Sequence, residues 1–126
     1  MADGRRSTAV FAALAKAGHF KALFEALQID ADQYWHSIDG SYTRAHQHSA
    51  GGSGGDTVNA IGVSRGGRTT KLHARVDSEG RPLQIELSAG NVHDCSVAED
   101  LLGEITADAI IADKAYDSDK IVAQIE

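Results

Sequence analysis

A mixed α/β sheet flanked by helices is the fold class predicted for this 126-residue chain, and three observations predict it. Apolar residues recur at helical spacing near the N-terminus. A two-strand hairpin pattern occupies the middle. A continuous apolar run lies between two short helical patterns further on. The resulting order is helix, strand, hairpin, helix, strand, helix, which places helices on the faces of a mixed sheet.

The first helix is expected over residues 8–27, where Val10, Leu14, Ala17, Phe20, Phe24 and Leu27 recur at steps of three and four. Ser7 or Thr8 caps its start, and Gly18 weakens its middle. Packing is the role expected of it. Tyr34–Ile38 is aromatic and apolar and reads as a strand whose end presents Asp39, with an extended path continuing through Ser41–Ser49. Residues 51–55 (GGSGG) follow as a flexible linker by composition. They lack the Gly-Lys-Ser/Thr ending and the strand–helix context of a phosphate loop.

Thr69–Val76 and Leu83–Ser88 are two strand-like runs joined by Asp77-Ser78-Glu79-Gly80. Leu72, Ala74 and Val76 alternate with Lys71, His73 and Arg75. Leu83, Ile85 and Leu87 alternate with Gln84, Glu86 and Ser88. This alternation predicts a hairpin with a buried apolar face and an exposed polar one. Ser96-Val97-Ala98-Glu99 fits a capping box before Leu101 and Leu102, so a short helix follows. Ala109–Ala112 is continuously apolar, ends at Asp113, and suits a strand buried on both faces. Asp117 or Ser118 then caps a helix carrying Ile121, Val122 and Ile125.

The net charge of −6 argues against a dedicated nucleic-acid binder, but its distribution softens that. Residues 39–93 carry six basic and five acidic side chains, whereas residues 94–126 carry two basic and nine acidic. Arg65, Arg68, Lys71 and Arg75 form a local basic run. No apolar stretch is long enough to span a membrane, and the N-terminus lacks the pattern of a signal peptide. A single cysteine, Cys95, makes no internal disulfide, so a reducing, cytoplasmic setting is the default.

Asp39 and Asp113 are each expected at a strand end. Two carboxylates converging there can hold a divalent metal through oxygen ligands. Strand-end Asp residues also start turns, and Asp39-Gly40 is a turn pair, so spacing alone leaves both readings open. Six histidines invite a zinc reading through His46-Gln47-His48, His73 and His93-Asp94. Structural zinc shows tighter Cys/His pairing than one cysteine allows.

Residues 38–48 (IDGSYTRAHQH) resemble the first-aspartate segment of insertion-sequence DDE transposases. Residues 61–74 (IGVSRGGRTTKLHA) resemble the next block of that family. Residues 82–94, ending GNVHD, resemble the one after it, and 112–117 (ADKAYD) resemble the second-aspartate segment. Four blocks in the expected order cover roughly residues 34–120. The resemblance implies an RNase H-like fold over residues 34–126, after an N-terminal helical segment of residues 1–33, with a flexible loop at 50–56. It implies cleavage of DNA at transposon ends and joining of the freed 3′ hydroxyls to target DNA. It also implies Mg2+, with Mn2+ as substitute, held by two Asp and one Glu.

Carried across, Asp39 and Asp113 are the first and second ligands. The third, a Glu on a later helix, is not assigned; Glu126 has no family-like motif around it. The chain is therefore expected to be a truncated form, incomplete at the C-terminus. Arg65, Arg68 and Lys71, with Gly66-Gly67 allowing close backbone approach, are expected to contact DNA phosphates. Arg44 is a weaker candidate for that task, and His73 is expected to face DNA from the polar side of the hairpin. His93-Asp94 is expected near the active site or capping the following helix. Lys114 and Tyr116 flank Asp113 and either orient phosphate or are solvated. Tyr34 and Trp35 are expected to pack beneath the Asp39 strand. DNA and a second copy are the expected partners. The alternatives are an inactive remnant that binds DNA or the intact enzyme as a regulator, and an RNase H-like nuclease without strand transfer.

Overall fold

The computed structural model describes residues 3–46, 55–103, 107–116 and 118–125. The chain divides into two compact units, Met1–Ala31 and Asp32–Glu126. The Gly-rich stretch at 51–54 lies outside the described residues.

In the first unit, helix α1 (Asp3–Lys16) and helix α2 (His19–Leu27) replace the single helix expected over 8–27. Gly18 adopts a left-handed φ of 77°, which stops the first helix and starts the second. The Phe11 and Phe20 rings meet across this break with centroids 5.0 Å apart. Helix α1 also begins four or five residues ahead of the caps expected at Ser7 and Thr8.

The second unit is built on five strands: β1 (Trp35–Arg44), β2 (Gly62–Ser64), β3 (Gly67–Val76), β4 (Pro82–Ala89) and β5 (Ala109–Ala112). β1 lies between β3, antiparallel, and β5, parallel. β2 and β4 both pair antiparallel with β3, at residues 67–69 and 70–76 respectively. This is the expected mixed sheet, and with its helices it has the RNase H-like α/β arrangement. Helix α3 (Gly55–Val58) precedes β2, helix α4 (Cys95–Leu102) joins β4 to β5, and helix α5 (Asp119–Ile125) follows a 3-10 turn at Lys114–Tyr116.

The hairpin forms where alternation predicted it, but its sidedness is reversed. Thr69, Lys71, His73 and Ser88 are buried, and Leu72, Ile85 and Leu87 are exposed. The reason is α4. Its apolar face (Val97, Ala98, Leu101, Leu102) packs with Ile38, Tyr116 and Ile121. Cross-strand register places Ile38 on the face of Arg75 and Gly40 on that of His73. The helix therefore covers the face that carries the polar hairpin side chains.

Those side chains are long enough to reach polar groups at both ends of α4. The last carbonyls of a helix have no partner within it. Arg75 Nη1 donates to the Leu102 carbonyl at 2.8 Å, and Gln84 Nε2 donates to the Asp100 carbonyl at 2.7 Å. At the other end Lys71 Nζ reaches Asp94 Oδ1 at 2.6 Å. Asp94 occupies the N-cap position of α4 yet makes no side-chain cap, because its carboxylate is turned to Lys71. The capping box expected from Ser96 and Glu99 does not form, since Ser96 lies inside the helix.

Two further expectations are corrected. β5 is not covered on both faces: Ile110 packs toward the core, while Ile111 is exposed. Tyr34 and Trp35 are exposed and do not pack beneath β1. The cap at Ser118 holds, with Oγ accepting from the Ile121 N–H at 3.4 Å.

The hairpin turn is organised by Asp77, which is buried. Its carboxylate accepts from the backbone N–H groups of Glu79, Arg81 and Asp32. These bonds outweigh the cost of burial and hold its pKa below the ordinary carboxylate value.

The reversed sidedness predicts unequal costs of truncation. Leu101→Ala is expected to lower unfolding free energy by about 2–5 kcal/mol, and Leu87→Ala by about 0.5 kcal/mol or less. Urea denaturation of both variants checks this, and equal losses would contradict the assignment of faces. Burial holds the His73 imidazole below its ordinary pKa of 6.5, against the opposing pull of Asp94. Protonation therefore favours the unfolded chain. The stability contributed by neutral His73 is present above pH 6.5 and is lost as pH falls from 6.5 toward the lower folded value. The melting temperature of wild type is expected to drop more steeply below that pH than the melting temperature of His73→Gln.

Candidate functional site

The parallel register of β1 with β5 ends at Ile38 paired with Ala112. One residue further on stand Asp39, still within β1, and Asp113, just past the end of β5. Neighbouring strands run about 4.8 Å apart, so the two backbones lie close at the last pair before these residues. Asp39 does not end its strand as expected, because β1 runs on to Arg44 and Asp39 pairs with Ala74 of β3. What ends beside Asp39 is β5.

Both carboxylates are exposed, and each is steered by its own backbone. The Gly40 N–H donates to Asp39 Oδ1 at 2.7 Å, and the Lys114 N–H donates to Asp113 Oδ1 at 2.6 Å. Paired carboxylate oxygens are the donor chemistry that Mg2+ or Mn2+ takes, so this pair fits a divalent cation. Among the described residues no group of three or more His, Cys, Asp or Glu stands ready to hold a metal.

On the opposite face of β1, Tyr116 lies beneath Gly40. Its side chain is 3% exposed, so the expectation of a solvated or phosphate-orienting tyrosine is corrected. Tyr116 Oη and His73 Nδ1 are 2.9 Å apart, and His73 Nε2 and Ser88 Oγ are 2.8 Å apart. Burial, followed by the negative charges of Asp94, Asp39 and Asp113, pushes the Tyr116 phenol up to about 12. Both site carboxylates are thus within electrostatic reach of this hydroxyl.

Lys71 and His73, expected at a DNA surface, are 5% and 0% exposed. Lys71 Nζ is held by Asp94 and by the Val92 carbonyl at 3.0 Å, and lies 4.8 Å from the centre of the Tyr42 ring. Burial pulls the Lys71 pKa down, but Asp94 and Tyr42 outweigh it and the pKa is raised. Both side chains belong to the interior because α4 and the 3-10 turn cover their face of the hairpin.

The remaining basic candidates are exposed. Arg44 and Arg65 line a cleft of about 500 Å3 with Tyr42, Ser64, Gly66 and Thr69. Ser64 Oγ shapes its rim by accepting from the Gly66 N–H at 3.2 Å. Arg68 is exposed but pairs with Asp56 at 3.1 Å. Lys114 is exposed beside Asp113, and His93 is exposed just before α4. His46 is exposed, and residues 47–48 lie outside the described residues. The buried role of Tyr116 had no signal in periodicity, because it sits in a three-residue turn between elements.

Residues 32–126 match the family described as the Transposase DDE domain. A Brucella ovis protein whose name assigns it as a transposase for insertion sequence element IS6501 is 47% identical over 58 residues. That match covers 45% of this chain and 45% of the relative. No solved structure matches the chain. No helix among the described residues is long and apolar enough to cross a membrane. The family match takes in the sheet, α4 and both aspartate segments, and the chain accordingly belongs to the transposase DDE-domain family.

Proposed function

We propose that this chain carries the catalytic core that cuts DNA at the ends of an insertion sequence and joins the freed 3′ ends to target DNA. The observation that supports this reading is the β1–β5 register, whose last pair, Ile38 with Ala112, immediately precedes Asp39 and Asp113. Asp39 and Asp113 would hold Mg2+, with Mn2+ as substitute. A cation bound there supplies Lewis-acid stabilisation of the phosphodiester and lowers the pKa of attacking water.

The chain's own residues do the rest. The Gly40 and Lys114 amides keep one oxygen of each carboxylate engaged and so fix its orientation. Arg44 lies five residues beyond Asp39 on β1, about 17 Å along the strand. The odd step turns it to the face of Tyr42 and Thr69, opposite that of Asp39. Arg65 shares the cleft with Arg44, and the two guanidinium groups suit DNA phosphates. Arg68 contributes after exchanging its pairing with Asp56. Lys114, beside Asp113, and His93 with Asp94 at the start of α4 complete the proposed surroundings of the site. Self-association on paired DNA ends and a cytoplasmic setting belong to the same reading.

A second reading is a chain that binds DNA or the intact enzyme as a regulator, without catalysis.

Asp113→Asn and Asp39→Asn are each expected to reduce Mg2+-dependent nicking of the element's own terminal repeat by about a thousandfold. Their melting temperatures should stay close to wild type. Full nicking by both variants would remove them as ligands, and no nicking by wild type would favour the second reading. Arg65→Ala is expected to weaken binding to unrelated duplexes equally and to reduce the log–log salt slope by about one. An unchanged slope would take Arg65 out of the DNA contact.

A further inference from the structure

Behind the two aspartates, on the covered face of the sheet, one hydrogen-bonded path links three separate elements. It starts at Tyr116 in the 3-10 turn directly after Asp113. It passes through His73 at the centre of β3 and ends at Ser88 on β4. His73 uses both ring nitrogens in this path and is fully buried. The turn is also tied by the Tyr116 N–H donating to the Asp113 carbonyl at 2.9 Å.

β1 passes over this path at Gly40, the residue that follows Asp39. A Cβ on Gly40 would stand 2.7 Å from Tyr116 Oη, closer than real Cβ contacts occur. The next atoms, His73 Nδ1 at 3.5 Å and Tyr116 Cζ at 3.8 Å, are at ordinary contact distance. The tyrosine oxygen therefore fills the space a side chain would take. It touches the backbone next to one carboxylate while its own turn begins at the residue after the other.

We propose that Tyr116 is a positioning residue for the Asp39–Asp113 pair, with its hydroxyl, anchored by His73 and Ser88, holding the Asp113 turn at fixed depth under Gly40. This rests on the reading of the two aspartates as metal ligands. Tyr116 is buried and bonded to His73, so the proposed role is exerted through the backbone and not as a ligand. It acts by setting where the Asp113 turn sits relative to β1, as outer-shell partners orient metal-binding carboxylates. β5 has four residues and, among the described residues, pairs with β1 alone, so its own ladder does not carry the register past Ala112. The hydroxyl contact continues the alignment for the turn beyond the last strand pair.

The test is Mn2+ titration of the full chain, followed by calorimetry or by the spin-resonance signal of free Mn2+. Melting curves are recorded on the same samples. Asp39→Asn is expected to abolish the Asp-dependent binding. Tyr116→Phe, which keeps the ring, is expected to stay folded and to raise the Mn2+ dissociation constant about tenfold. Gly40→Ala pushes on the same oxygen from the other side and is expected to weaken both binding and melting temperature. Adding Tyr116→Phe to Gly40→Ala removes the collision; melting temperature should recover while Mn2+ affinity stays low. Wild-type affinity in Tyr116→Phe, or recovered affinity in the double variant, overturns the positioning role and leaves the metal site standing. Absent binding by wild type, or equal binding by Asp39→Asn, overturns the metal reading and the positioning role with it.

Discussion

The grip of the hairpin on helix α4 is the constraint on which the second unit depends. A helix of eight residues has carbonyls at its end that nothing within the helix can satisfy. Here Arg75 and Gln84 reach up from two adjacent strands to accept that burden, and Lys71 secures the approach to the other end through Asp94. Only with α4 held in this way do Leu101 and Leu102 become fully buried against Ile38, Tyr116 and Ile121. Apolar packing and polar anchoring are therefore not separate layers of this core. The helix is seated by charged side chains and sealed by aliphatic ones.

That seating decides the geometry of the site. Tyr116 can lie beneath Gly40 because the same covered face offers it His73, already fixed by Ser88. The opposite face of β1 is left to Asp39, one residue past the last β1–β5 pair. One strand thus separates a buried, hydrogen-bonded side from the exposed side that carries Asp39. Steering of each carboxylate by the next backbone amide adds orientation without a second side chain.

Much of this architecture could be read from residue patterns, and the part that could not has a physical cause. Periodicity of two marks both strands of the hairpin, and the apolar run at 109–112 marks β5. Alternation distinguishes two faces of a sheet but does not say which one is covered. Lys71, His73 and Arg75 read as solvent-facing because charged side chains usually are. They are interior because each finds a partner on or beside α4 or the 3-10 turn, and those partners lie 15 or more residues away in sequence. The split at Gly18 depended on a left-handed conformation that composition only hinted at. The two aspartates are singled out through resemblance, whereas spacing alone favours two ordinary turns. Tyr116 carried no such signal, since its partners His73 and Gly40 come from two other strands.

The reversed hairpin also bears on how the protein behaves in bulk. Leu72, Ile85, Leu87 and Val63 project from one side of the sheet, where register aligns Leu72 with Leu87 across neighbouring strands. A sheet that turns its greasy side outward attracts other chains at high concentration, as uncovered apolar patches do. The net charge of −6 supplies long-range repulsion against that tendency. Salt screens such repulsion within about 8 Å at physiological strength. Colloidal solubility of this chain is therefore a balance between one oily surface and a diffuse negative field, and dilution and low ionic strength both tip it toward the dispersed state.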